Sequence, residues 1–260
     1  MIRTAWTILA LIVGTLIFGS IALLAQLLGV AHKPGSVYEW ATASWARWLL
    51  GAGGVRVVRH GGDELPDGAP RVFVANHVSA FDIPVCVAAL PPYGFLAKRE
   101  LQKVPLFGAA ARAVGVIFID RGNRKAAFDA LDDASRQVRE GRSVLVYPEG
   151  TRGDGYALRP FKKGSFVLAI GADVPIVPVV IHGTIAVNPN GTLSATPGVV
   201  HVHILPPIAT VGLSYEERDR LAERVRHAMA DCLRTQYGVD PAIEPPAYRA
   251  APSVTPALAT

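Results

Sequence analysis

The sequence predicts an α/β protein: a mixed, largely buried central sheet with helices on both faces, preceded by a membrane-anchoring helical segment at the amino end. Three observations predict it. Short, continuous apolar runs recur along the chain, as strands covered on both faces require. Helical periods separate those runs. Ahead of them, 28 residues from Thr4 to Ala31 contain no Asp, Glu, Lys, Arg or His. Half of the 260 residues are hydrophobic and only 18% charged, against about 25% charged in an average soluble domain. A disordered chain is too polar to match this composition.

As a helix, residues 4–31 extend about 42 Å, while a bilayer's hydrocarbon core is about 30 Å thick. The stretch can span with tilt, or break near Gly14 or Gly19 and re-enter the same leaflet. A signal peptide has a shorter apolar core, about 7–15 residues, and an A-x-A-like site that is missing here. Ser36-Val37-Tyr38-Glu39 reads as a capping box opening a second helix. Val37, Trp40, Trp45, Trp48 and Leu49 share one half of its wheel, with Glu39 and Arg47 outside. Tryptophan favours the headgroup level, so this helix reads as interfacial; core packing is the alternative use. Residues 1–50 are thus the expected anchor and interfacial helix.

Residues 51–238 read as one α/β domain, with strands expected at 55–58, 71–75, 115–119, 143–147, 176–181 and 199–205. Residues 124–140 carry Phe128, Leu131 and Val138 on one helical face and stop at Gly141, a suitable left-handed cap. Ser214 with Glu217 opens a helix over 215–237 that repeats Leu221, Val225, Met229 and Cys232. Residues 239–260 hold five prolines and no periodicity, the composition of a disordered tail.

The charge is unevenly placed. Residues 1–60 hold five Lys or Arg against Glu39 alone, whereas the rest holds 21 basic and 20 acidic side chains. A basic excess beside an apolar segment suits an anionic membrane surface rather than nucleic acid. Cys86 and Cys232 make no disulfide framework and no C-x-x-C pair, so both read as packing residues in a reducing compartment.

Three strand ends carry chemistry. After the run 71–75 comes Asn76-His77-Val78-Ser79-Ala80-Phe81-Asp82. A carboxylate five residues on can hold one ring nitrogen of His77, leaving the other as a general base in the crevice at the strands' carboxyl ends. Ser79 reads as a turn residue, and no G-x-S-x-G elbow is present. Tyr147-Pro148-Glu149-Gly150-Thr151-Arg152 ends a second strand with a hydroxyl and a guanidinium fork suited to phosphate. Glu149 can orient the Arg or meet a substrate hydroxyl. Gly115-Val116-Ile117-Phe118-Ile119-Asp120-Arg121 brings Arg121 to the end of a third. His201-Val202-His203 reads as structural, and no metal site is expected.

These blocks, with Val174-Pro175-Ile176-Val177-Pro178-Val179 after them, resemble the glycerolipid acyltransferase superfamily, specifically the 1-acylglycerol-3-phosphate acyltransferases. The four blocks occur in that family's order over about a hundred residues. Tyr147 stands where Phe is usual in the family, and Gly153 where Ser is common. The resemblance implies that His77 is the general base, polarised by Asp82, and that no acyl-enzyme forms. It implies that Arg121, Glu149, Gly150, Thr151 and Arg152 grip an acceptor phosphate. Lys98, beside Arg99, matches a basic position before the second block and adds a phosphate or headgroup contact, or else forms a solvated pair. The implied partners are a lysophospholipid acceptor, acyl-CoA or acyl-carrier protein as co-substrate, and the bilayer, with no cofactor and no nucleic acid. The implied place is the cell inner membrane, with the catalytic domain on the cytoplasmic side. Alternatives are acylation of lyso-ornithine lipid or of glycerol 3-phosphate, a thioesterase, and a non-catalytic lipid-binding protein.

Overall fold

Residues 2–120, 122 and 124–241 are described by a computed structural model, which gives the backbone alone for 124–129. In chain order, helices α1 (Ile2–Leu27) and α2 (Val37–Gly53) lead into strands β1 (Val55–His60) and β2 (Val72–Ala75). Then come α3 (Asp82–Ala89), β3 (Gly94–Lys98), α4 (Phe107–Ala113), β4 (Ile117–Ile119), α5 (Arg124–Arg139) and β5 (Val144–Val146). The chain closes with α6 (Gly164–Ala172), β6 (Ile176–His182), α7 (Thr184–Val187), β7 (Gly198–Ile204) and α8 (Arg218–Tyr237). A one-turn helix, Tyr215–Glu217, precedes α8, and the Glu217 carboxylate accepts from the Ser214 N–H at 2.9 Å.

The strands form one seven-stranded sheet in the order β1-β7-β6-β2-β5-β3-β4. All neighbours are parallel except β6 and β7. Five strands from β6 to β4 therefore deliver their carboxyl ends to a single edge, where open α/β sheets bind ligands. The mixed, two-faced sheet is the expected architecture, with β3 as an additional strand.

Period-two alternation divides the core. Val72, Val74, Val144, Ile176 and Val180 face α5, α6 and α8 through Val138, Phe166, Leu221, Val225 and Met229. Phe73, Ala75, Leu145, Val177, Val179 and Ile181 face the other way, towards Leu50 of α2 and Val85, Cys86 and Ala89 of α3. Both cysteines are free and buried. Val239 packs against the first cluster, and the Leu158 N–H donates to the Pro241 carbonyl at 3.0 Å. The remainder of the expected tail, 242–260, and the Phe128 side chain lie outside the described residues.

Three features mark the amino-terminal segment. First, α1 runs unbroken through Gly14 and Gly19. Those glycines make room instead: a methyl on Gly14 would lie 2.7 Å from Trp48 Cδ1, and one on Gly19 would lie 3.0 Å from Ala110 Cβ in α4. Second, three tryptophans commit their indole N–H groups to protein. Trp6 donates to Ala52 O at 2.9 Å, Trp45 to Thr15 Oγ1 at 3.2 Å, and Trp48 to Ala10 O at 2.8 Å, locking α1 onto α2. Third, the Glu39 carboxylate caps the Gly35 N–H at 2.8 Å, one residue before the expected partner, Ser36. Leu9, Ile12, Leu16 and Leu24 of α1 remain about half exposed, as does Trp40 of α2. Together they make a broad apolar surface.

Candidate active site

The turn from β2 into α3 is folded around one carboxylate. Asp82 is completely buried, and its Oδ2 accepts from the Val78 N–H at 2.7 Å, the Ser79 N–H at 2.9 Å and His77 Nδ1 at 2.8 Å. An ionised carboxylate only accepts, so Nδ1 donates to it and Nε2 is the ring nitrogen that Asp82 leaves available. The imidazole is 16% exposed and stacks on Tyr147 at a centroid distance of 4.1 Å. The His77 ring is thus fixed by a bond at one edge and a face contact, with Nε2 left over.

Neither candidate acyl-carrying nucleophile is placed to react. Ser79 is fully buried, donates to Asn188 O at 2.8 Å and accepts from the Phe81 N–H at 3.1 Å. Cys86 is also fully buried, and burial pushes its thiol well above the usual range. Tyr147, half-buried beside them, donates towards Cys86 Sγ at 3.8 Å.

On the neighbouring strand, the loop after β5 is bound to His77 by backbone groups. Glu149, 5% exposed, accepts the His77 N–H on Oε1 at 3.1 Å and the Arg159 N–H on Oε2 at 3.3 Å. Burial raises its pKa, and the two N–H bonds oppose that rise. Both oxygens are therefore engaged by backbone rather than by a ligand. One residue after Arg152, the Gly153 N–H donates to His77 O at 2.8 Å. Gly150 supplies the positive φ of +75° that this turn needs. Thr151 is exposed and Arg152 half-buried.

The other two strands lie farther out. Lys98 ends β3, two strand positions from β2 and so roughly 10 Å away along the edge. It is exposed and paired with Glu100 at 3.4 Å, while Arg99 pairs with Asp120 at 2.6 Å. Arg121 follows β4 and lies outside the described residues. The fourth block leads into β6 and forms its first four residues, part of a strand buried up to Ile181, and so supports the sheet.

Two residues at the site had no assigned role from the sequence. Asn76, buried, donates Nδ2 to Ile181 O at 3.0 Å and accepts the Ile181 N–H at 2.8 Å. It closes the gap where β6 turns from β2 towards β7 and thereby seats the backbone of His77. Its only sequence signal is a polar side chain ending an apolar strand. Tyr156 stacks on His182 at 4.6 Å and accepts the Gly183 N–H at 2.6 Å, tying the Arg152 loop to the end of β6. His201 and His203 join His60 and Tyr237 in the same ring stack. Among the described residues no three His, Cys, Asp or Glu side chains are disposed to hold a metal ion.

Known proteins share this sequence and fold. Residues 56–182 match the Acyltransferase family. The 1-acyl-sn-glycerol-3-phosphate acyltransferase of Saccharomyces cerevisiae is 36% identical over 253 residues, covering 93% of this chain and 80% of its own. The alpha form named 1-acyl-sn-glycerol-3-phosphate acyltransferase from Ovis aries is 37% identical over 183 residues, or 70% of this chain. This chain spans 64% of the sheep protein's length, just under two thirds. The crystal structure of the 1-acyl-sn-glycerophosphate acyltransferase PlsC from Thermotoga maritima superposes with a TM-score of 0.77 at 26% identity, covering 92% of this chain and 96% of that one.

Proposed function

The chain belongs to the 1-acyl-sn-glycerol-3-phosphate acyltransferase family, and from that premise we propose that it acylates the free hydroxyl of 1-acylglycerol 3-phosphate, giving phosphatidic acid. The donor is a fatty acyl thioester, acyl-CoA or acyl-carrier protein. The observation that carries this reading is the Asp82-held imidazole of His77, partly exposed beside the Glu149–Arg152 loop.

His77 Nε2 removes the hydroxyl proton as the oxygen attacks the thioester carbonyl. Asp82 stabilises the imidazolium that forms. The tetrahedral adduct then expels the thiolate, which takes the proton from Nε2, so an ester C–O bond replaces a C–S bond and the base is restored. The burial of Ser79 and Cys86 supports direct transfer over an acyl-enzyme. Arg152 and Thr151 meet the acceptor phosphate. Gly150 lets their backbone turn, and Glu149 is a positioning residue that joins their loop to His77. Lys98 and Arg121 supply cations towards the outer strands.

The acceptor is an amphiphile, so the enzyme works with its apolar surface in the bilayer. Contacts from Trp6 to Gly19 hold α1 against α2 and α4, which supports immersion in one leaflet beside the body over a crossing. The inner membrane, with the catalytic domain on its cytoplasmic side, fits the donor's compartment. The test is a panel of lysolipids and glycerol 3-phosphate with labelled acyl-CoA. Label in phosphatidic acid supports the reading; free fatty acid alone, or label only in another lipid, overturns it.

A further inference from the structure

The loop after Arg152 leaves the site and comes back along its own path. On the return, the Arg159 N–H meets Glu149 and the Lys162 N–H donates to Pro148 O at 2.9 Å. This registers Lys162 against Gly150. A methyl on Gly150 would lie 2.6 Å from both Cε and Nζ of Lys162, so the glycine also gives the lysine's end group its place. Lys162 is exposed there, and no ion pair with a carboxylate holds it among the described residues. Lys163 points elsewhere and pairs with Asp219 at 2.9 Å. Glu149, the acid of the same loop, is occupied by two backbone N–H groups. An ammonium laid over the phosphate-suited loop without an anion is poised for one from outside.

We infer that Lys162 is a phosphate-binding residue of this site: lying over Gly150, its ε-ammonium contacts an anionic phosphate oxygen of the bound substrate. The inference rests on the acyl-transfer reading and deepens it. A phosphomonoester carries close to two negative charges near neutral pH. Arg152 offers a fixed fork and Lys162 a mobile point charge, which together balance that dianion. The same chemistry exists on the acceptor headgroup and on the CoA moiety of the donor. The placement beside His77's own loop favours the acceptor, whose hydroxyl must reach His77.

The test uses the full-length protein in lipid vesicles with Lys162→Met and Lys162→Arg, measuring KM for lysophosphatidate and for acyl-CoA separately. Melting temperatures should match the wild type, because the side chain is exposed. For Lys162→Met the acceptor KM should rise about tenfold to a hundredfold, the value of a charge-assisted hydrogen bond. Lys162→Arg should recover most of it. A rise confined to the acyl-CoA KM would overturn the acceptor assignment and place the phosphate on the donor. Unchanged values for both would remove Lys162 from the site. Failure of the underlying reading looks different: the wild type itself would then form no phosphatidic acid.

Discussion

At the residue scale, the site is a problem of keeping one imidazole oriented and accessible. Asp82 solves the first by taking three donors on a single oxygen, two from backbone and one from His77. Replacement by asparagine preserves the volume and removes the charge that stabilises the imidazolium. Asp82→Asn should therefore fold and lose about 10²-fold or more in kcat, within the usual span of general-base effects. Steady-state kinetics with circular dichroism checks it, and wild-type kcat would refute the role. The sequence made this pair legible because its two members are five residues apart on one turn. It did not reveal Glu149's partners, since a carboxylate that binds backbone N–H groups looks in sequence like one that binds a ligand. Tyr147's stacking on His77 was hidden for the same reason: it joins adjacent strands whose order the sequence does not state.

At the element scale, the ring stack on β1, β7, β6 and α8 gives a pH dependence. Burial lowers the pKa of His182 and of His203 from 6.5 to about 4, with neighbouring histidines adding to the effect. His60, His201 and Arg56 face the stack from β1 and β7, Tyr156 from the Arg152 loop and Tyr237 from α8. Both groups stay neutral in the fold where the unfolded chain would protonate, so the unfolded state binds more protons between pH 6.5 and 4. Stability should fall as pH drops through that window. Thermal melts across the range should show a shallower fall for His182→Phe, which keeps a ring between Tyr156 and Tyr237; an identical slope would contradict the assignment.

The contact of α1 with α2 makes a second prediction at this scale. Gly14→Leu forces its side chain into Trp48, and overpacking costs about 1–3 kcal/mol. Limited proteolysis should then cut between the two helices faster than in the wild type. Equal rates would mean the contact is dispensable.

Six strands were legible as short continuous apolar runs, both long amphipathic helices by their period, and α1 by its run without charged residues. β3 escaped because Gly94–Lys98 is a five-residue run one residue behind Pro91-Pro92. α6 escaped because Gly164–Ala172 is apolar on every side and shows no helical period. The reversal of β7 against β6 is a pairing choice that no local pattern encodes.

At the scale of the whole molecule, the account sets a sheet edge beside an apolar helical surface. With α1 lying along the body, its two ends should share one side of the bilayer. Arg3→Cys and Lys33→Cys, made singly, should both react with an impermeant maleimide added to one and the same side, the buried native thiols giving little background. Labelling from opposite sides would mean that α1 crosses. Fold class and blocks could be read early because three short motifs sit at strand ends and a fourth runs into β6. The lateral order of those ends came only with the sheet.

The most direct measurement is phosphatidic acid formation by purified His77→Ala in vesicles, with its melting temperature beside that of the wild type. The account predicts turnover lower by about 10²- to 10⁴-fold at an unchanged melting temperature. Turnover equal to the wild type would contradict it.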